Sequence, residues 1–463
     1  MAISNSIVNH DQVYLSGTQK FAIALSGSGL FLMLLTLFNL QILMDWKFLV
    51  LSVALIATGV VLYSRDLYKE LPPGIKNNGV WFRSLSRRGG IAWFVGIVLT
   101  AFYVVLYWVP SLLGLNDASE QNTGLIQFFD PLSQLLRSSK ADQWFVYGSL
   151  YSLAIVLLAI KFIWKYRHSR YQVIRTISVS LFQLLFAYLI PEIMQGLNIG
   201  AGNSFFFKDI KHFWPLNYYF FESWHLDNML GSNFGMFYLT WGIFGFLVLT
   251  PFLTYFLGKR WYCSWVCGCG GLAETAGDPF RHLSSKKLSS WKIERWLIHG
   301  VLLYILLVTA VVLYGYFLGR SEIFGVSIYH YFSKPYGFLI GAAFSGVLGV
   351  GFYPILGSRV WCRFGCPMAA YMGLFQRFKS RFRITTNGGQ CISCGNCSTY
   401  CEQGIDVRWY AQRGQNIVRS SCVGCGICSE VCPRGVLNLE NGPSQGRTKS
   451  PNTLVGNHSF GGQ

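Results

Sequence analysis

"CISCGNCSTYC" occupies residues 391–401, and "CVGCGICSEVC" occupies residues 422–432. Both runs space their cysteines C-x2-C-x2-C-x3-C, and Pro433 follows the second. Three thiolates from one tight loop, with a fourth from the other run, suit a pair of four-iron clusters. The spacing assigns Cys391, Cys394, Cys397 and Cys432 to one [4Fe–4S] cluster. It assigns Cys422, Cys425, Cys428 and Cys401 to a second. Gly395, Gly424 and Gly426 let the backbone wrap closely and turn N–H groups toward sulfur. Zinc needs four ligands, usually as C-x2-C pairs, so the extra middle cysteine of each run argues for iron. Glu402 rather than proline follows Cys401, which keeps the ligand and alters only the local turn.

Outside these runs the chain is apolar. It has 463 residues, 52% hydrophobic and 13% charged, where a soluble domain carries roughly a quarter charged. Mean hydropathy is +0.37. Charge is costly in hydrocarbon, and the 17% aromatic content suits interfacial belts. The net charge of +18 is spread through short loops, which points to membrane topology and not to nucleic acid. All 13 cysteines lie at or after Cys263, unlike an extracellular disulfide framework. The N-terminus does not read as a cleavable signal peptide.

A spanning helix takes about 20 apolar residues. Eight candidates appear: 20–42, 46–64, 90–113, 143–164, 173–192, 235–257, 296–318 and 337–356. Loops 65–90, 165–175 and 259–295 hold 17 Lys and Arg against 5 Asp and Glu; loops 111–143, 191–234 and 319–336 hold 6 against 9. Basic loops face the cytoplasm. The reading is a multi-pass inner-membrane protein with both termini and the cysteine tail cytoplasmic. The expected fold class is an all-α polytopic membrane protein with a C-terminal α+β two-cluster ferredoxin domain. Its parts are a four-helix region (1–170), duplicated hairpins (171–385), the ferredoxin domain (386–442) and a disordered tail (443–463).

The duplication is visible as "LGKRWYCSWVCG" from Leu257 and "LGSRVWCRFGCP" from Leu356. Leu, Gly, Arg and both cysteines coincide without a gap, and each copy ends a span. Placed i and i+4 on a helix, Cys263 and Cys267 would share a face, as would Cys362 and Cys366. At the cytoplasmic mouth, four thiols from parallel hairpins would converge. Three readings stand: a third metal or iron–sulfur site, a Cu(I) or thiol-relay site, or buried structural cysteines. Cys269 is an extra sulfur, and Lys259, Arg260, Arg359 and Arg363 favour thiolate.

The outer loop 205–225, "FFFKDIKHFWPLNYYFFESWH", reads as an interfacial helix or as the wall of a quinol pocket. In the second reading Glu192, His212, Glu222 or His225 accepts protons. The histidines do not pair within spans and no C-x2-C-H occurs, so haem is not expected. P-loop and dinucleotide signatures are lacking too.

The paired cysteine motifs at span ends, followed by the two-cluster tail, resemble the NosR/NapH-type membrane polyferredoxins. A related branch assists copper-site assembly in oxidases. The resemblance covers about residues 170–440. It implies membrane electron transfer, with quinol as donor and a periplasmic or membrane redox protein as partner, as in nitrous-oxide and nitrate respiration. It makes the tail cysteines cluster ligands, and Cys263, Cys267, Cys362 and Cys366 the family's membrane-mouth cysteines. Here Gly268 stands where the motif has proline. The first expectation is an electron-transfer protein that acts as a quinol-oxidising subunit; the alternatives are a Cu(II)-reducing assembly factor and a redox-sensing regulator.

Overall fold

The computed structural model describes residues 15–69, 87–116, 121–200, 202–203, 205–211, 214–323 and 325–442. The expected tail 443–463 and His212 lie outside the described residues. Among the described residues seven helices are long and apolar enough to cross a membrane, which makes this a multi-pass membrane protein. They are α1 (Gly17–Phe38), α2 (Trp46–Leu67), α3 (Gly90–Trp108), α5 (Gln143–Lys165), α6 (Arg170–Leu197), α7 (Asn233–Leu257) and α9 (Leu288–Phe317). An amphipathic helix, α4 (Gly124–Arg137), lies between α3 and α5. Side-chain caps fix several starts: Asp142 accepts from the Phe145 N–H at 2.7 Å, and Ser232 from the Gly235 N–H at 3.0 Å.

The eighth expected span departs from that pattern. Residues 329–348, α10, are a π-turn Tyr329–Ser333, an α-turn Lys334–Tyr336 and a π-stretch Gly337–Leu348. The cause recurs elsewhere. The π-stretch Phe182–Leu189 in α6 precedes Pro191, and Gly245–Leu249 in α7 precedes Pro251, just as Tyr329–Ser333 precedes Pro335. Proline removes an N–H and clashes with the carbonyl four residues back; a wider turn relieves both. In α7 the Thr250 hydroxyl donates to the Gly245 carbonyl at 2.7 Å.

Two large apolar cores lie among the helices. One joins Met33, Leu49, Leu106, Phe128, Phe145 and Tyr188 from the N-terminal half. The other joins Trp214, Cys263, Ile305, Ile328, Tyr336 and Met372 with Val423 of the cysteine tail. The tail folds as a small unit on strands β1 (Phe382–Thr386) and β2 (Leu437–Asn441), antiparallel with Ile384 opposite Leu439. Hydrogen bonds dock it to the helices. Tyr171 Oη donates to the Gly424 carbonyl at 2.8 Å, Gln172 to Cys425 at 2.9 Å, Ser264 to Val423 at 2.8 Å and Gln376 to Cys422 at 2.7 Å.

Candidate iron–sulfur sites

Two cavities divide the eight tail cysteines. The outer cavity is lined by Cys391, Cys394, Cys397 and Cys432 with Arg408, Arg434 and Leu437. The inner one is lined by Cys401, Cys422, Cys425 and Cys428 with Ile384, Glu402 and Ile417. These are the quartets that the spacing groups together. Each loop places two left-handed residues between its cysteines: Ser393 (φ 57°) and Gly395 (81°), and Gly424 (62°) and Gly426 (78°). Successive left-handed residues curl the chain round the cavity. Both quartets are free thiols. Four sulfurs round an apolar hollow fit a cubane, whose corners stand wider apart than the ligands of one ion. Among the described residues no three His, Cys, Asp or Glu converge closely enough to hold a single ion.

The duplicated motifs adopt one geometry twice, and it is not the single helix face expected. Each copy turns at a left-handed glycine, Gly258 (φ 68°) and Gly357 (98°). A Cβ there would lie 2.7 Å from Phe382 Cβ or 2.5 Å from Ser284 Oγ. Cys263 closes the short helix Arg260–Cys263, and Cys362 lies in the π-turn Trp361–Gly365. Cys267 and Cys366 are then extended N-caps (ψ 125° and 112°) of new helices, α8 (Gly268–Thr275) and α11 (Pro367–Phe378). Their N–H groups donate to the Tyr262 and Trp361 carbonyls at 2.8 and 2.9 Å. Gly268 thus occupies the first helical position that Pro367 fills in the second copy, and both suit it.

Cys267 lies within the helix bundle, while Cys263 packs in the core that reaches the cysteine tail. The chain re-enters the bundle after Gly258 and after Gly357, and α8 and α11 run back out. A Cβ on Gly268 would meet Gln183 Oε1 and lie 3.4 Å from Tyr151 Cε1. Tyr151 stands 14 residues before Lys165, the last residue of α5, so this level is about 21 Å from that helix end. In the other copy Tyr371 of α11 stacks on Phe246 of α7, ring centroids 4.3 Å apart. Cys263, Cys267, Cys362 and Cys366 all lie within electrostatic reach of one another. Cys267 also shares a side-chain hydrogen bond with Cys269. The sequence hid this because α8 and α11, of 8 and 12 residues, are too short to cross a bilayer.

A buried ion network ties the sites together. Arg175 contacts Glu274, and Arg359 reaches Glu274 at 2.8 Å and Glu402 at 3.0 Å. Arg281 pairs with Glu402 at 2.7 Å and with Asp278 at 2.9 Å, and Lys165 holds Asp278 at 2.7 Å. All seven side chains are essentially buried. Burial raises the Glu402 carboxyl, but Arg281, Arg359 and Arg175 outweigh it and hold it below the usual carboxylate range. Four cations face three carboxylates, leaving one positive charge in excess beside the inner cavity. Glu402 follows Cys401, and this network was not read from the sequence; its one signal was charge placed next to the cysteine motifs.

The outer loop is neither an interfacial helix nor a surface strap. Trp214 and Leu216 are in the core, Trp241 Nε1 donates to the Ile210 carbonyl at 2.7 Å, and Lys211 lies within electrostatic reach of Cys267. Some of the loop's polar groups find partners inside the bundle. His225 Nδ1 lies 3.0 Å from the Phe220 carbonyl, Glu222 bonds Ser333, and Glu192 pairs with Arg137 at 3.6 Å. A file of tyrosines also went unread: Tyr103 and Tyr147 at 5.9 Å and Tyr147 and Tyr151 at 5.4 Å. It flanks Cys269, which lies within electrostatic reach of Tyr103, Tyr147 and Tyr151.

Comparison with known proteins agrees with these sites. The family model of a 4Fe–4S binding domain matches residues 239–289 and 338–385, the two re-entrant copies. That of a 4Fe–4S dicluster domain matches residues 383–433. A protein of Escherichia coli (strain K12), described as "Putative electron transport protein YccM", is 29% identical over 177 residues, covering 35% of this chain and 46% of that protein. The chain thus spans less than half the length of this curated relative. No solved structure matches. The chain carries 4Fe–4S binding sequences of two kinds on a multi-pass membrane scaffold.

Proposed function

We propose that this is a membrane-bound electron-transfer protein whose thiols form a line of iron–sulfur stations. The outer and inner cavities each hold one [4Fe–4S] cluster, and the re-entrant cysteines Cys263, Cys267, Cys362 and Cys366 hold a third centre. Such clusters supply reversible one-electron storage. The carrying observation is their succession. Deep thiols lead to Cys263 and Cys366, which pack in the same apolar core as Cys425 of the inner cavity. The inner quartet shares a second core with the outer one, through Cys397, Cys422 and Cys428.

The chain's residues hold, screen and bias these stations. The N-termini of α8 and α11 begin at Cys267 and Cys366, and a helix N-terminus favours negative charge. Positive charge favours an added electron, and it stands at both stations: the excess cation of the buried network beside the inner one, Arg408 and Arg434 beside the outer one. The basic loops named above support a cytoplasmic tail. A cavity of about 570 Å³ lined by Phe205, Phe206, Phe237, Trp241 and Lys208 supports quinol as donor at the opposite end.

Anaerobic purification with iron quantitation and electron paramagnetic resonance tests this. At least about eight irons per chain are expected, with two cubane signals that appear on adding menaquinol. Zinc in place of iron would sink the reading; intact iron that stays silent would remove quinol alone.

A further inference from the structure

Around the outer cavity the surface is both apolar and one-signed. Arg408 and Arg434 line the cavity and are exposed. Arg413, also exposed, stands 4.1 Å over the Trp409 ring. Among them Ile392 and Trp409 show 41% and 43% of their surface to solvent. The described acidic residues of this unit are Glu402, Asp406, Glu430 and Glu440, and none is exposed. Among the described residues none of the three arginines pairs with a carboxylate; the unit's carboxylate pairs go to Arg281, Arg359 and His168. The remaining residues 443–463 carry Arg447 and Lys449 and no acid. The inner cavity offers no such face, because the helices cover its loop.

We propose that this face docks a small acidic soluble electron-carrier protein. Ile392 and Trp409 form the apolar centre of the contact, and Arg408, Arg413 and Arg434 form its charged rim. Apolar centre and polar rim are the ordinary anatomy of a protein interface, and arginine and tryptophan are its usual anchors. One-signed charge steers an oppositely charged partner and speeds encounter at low salt. The side chain of Arg408 stands against the outer loop: a Cβ on Gly395 would lie 3.7 Å from its Nη1. A partner on these arginines therefore sits over the outer quartet. This docking rests on the iron–sulfur reading above.

The test is binding, not turnover. Full-length protein of measured iron content, in nanodiscs of neutral lipid, is titrated with an oxidised acidic plant-type ferredoxin. Salt is set at about 0.01 M and about 1 M, where the screening length is about 30 Å and about 3 Å. Binding at low salt that vanishes at high salt is expected. At low salt, and compared at equal iron content, R408E/R413E/R434E should weaken it tenfold or more, R408Q/R413Q/R434Q by less, and Trp409→Ala should weaken it too. A basic carrier of similar size should not bind. Equal affinity of wild type and both triple variants overturns the proposal, and so does failure of the iron-loaded wild type to bind. If anionic lipid in the discs abolishes binding, the bilayer owns this face and the proposal falls. Iron-free protein that still binds would sink the iron–sulfur reading and leave the docking intact.

Discussion

Ser393 and Gly424 occupy the same place in the two cysteine loops, both left-handed (φ 57° and 62°), yet only one is glycine. A Cβ on Gly424 would lie 2.7 Å from Arg260 Cβ and 2.9 Å from Phe382 Cζ. At Ser393 the side chain has room and accepts from Gln412 at 2.8 Å. The backbone tolerates either residue at some cost. What excludes a side chain from the inner loop is the helix bundle pressed against it. One loop is the docked face of its unit and the other is the free face.

That contrast is broken most forcefully through Glu402. Glu402→Gln leaves two buried guanidiniums short of charge and should cost about 3 kcal/mol or more. The inner cluster's resonance should be lost or shifted while the outer one persists; equal loss of both would show that the halves are not independent. Asp278 comes next. Burial raises its carboxyl, but Lys165 and Arg281 outweigh burial and hold it below the usual carboxylate range. The folded pKa lies below the unfolded one, so its stabilisation is present above about pH 4 and lost as pH falls through the folded value. Thermal unfolding of Asp278→Asn should therefore show a deficit of about 2–3 kcal/mol at neutral pH that shrinks in acid; a deficit constant with pH would refute the pairing.

Gly424→Ala should cost about 1–3 kcal/mol through strain and contact with Arg260. Ser393→Gly exchanges relief of left-handed strain for chain entropy and a lost hydrogen bond, and should stay within about 1 kcal/mol of wild type. Unfolding midpoints of the pair decide this; comparable losses would mean that the outer loop is packed as well. The smallest effect belongs to Asp406→Asn, which weakens a hydrogen bond from Ser398 (2.7 Å) on the free half by about 1 kcal/mol. Urea titration of the variant checks it.

Seven spans were legible because each carries a long apolar run, and five of them have a capped start. The thiol quartets were legible because cysteine spacing is read directly from the chain. The re-entrant segments were not. Their helices are short, and Arg359 looks like a loop charge until Glu274 and Glu402 are brought to it from far along the sequence. The π-stretches were likewise concealed: prolines inside apolar runs announce a disturbance without saying whether the helix breaks or widens. Ser393 hid the symmetry of the two loops, since a serine gives no sign of a left-handed turn.

The depth of Cys267 has a consequence for biogenesis. A sulfur about 21 Å along the bundle lies on one side beneath a unit clamped through Arg281 and Glu402. From that side, anything delivered to it has to arrive before the clamp closes. A chain whose clamp forms early is left with the opposite approach, where Cys267 is half-buried and Cys269 exposed.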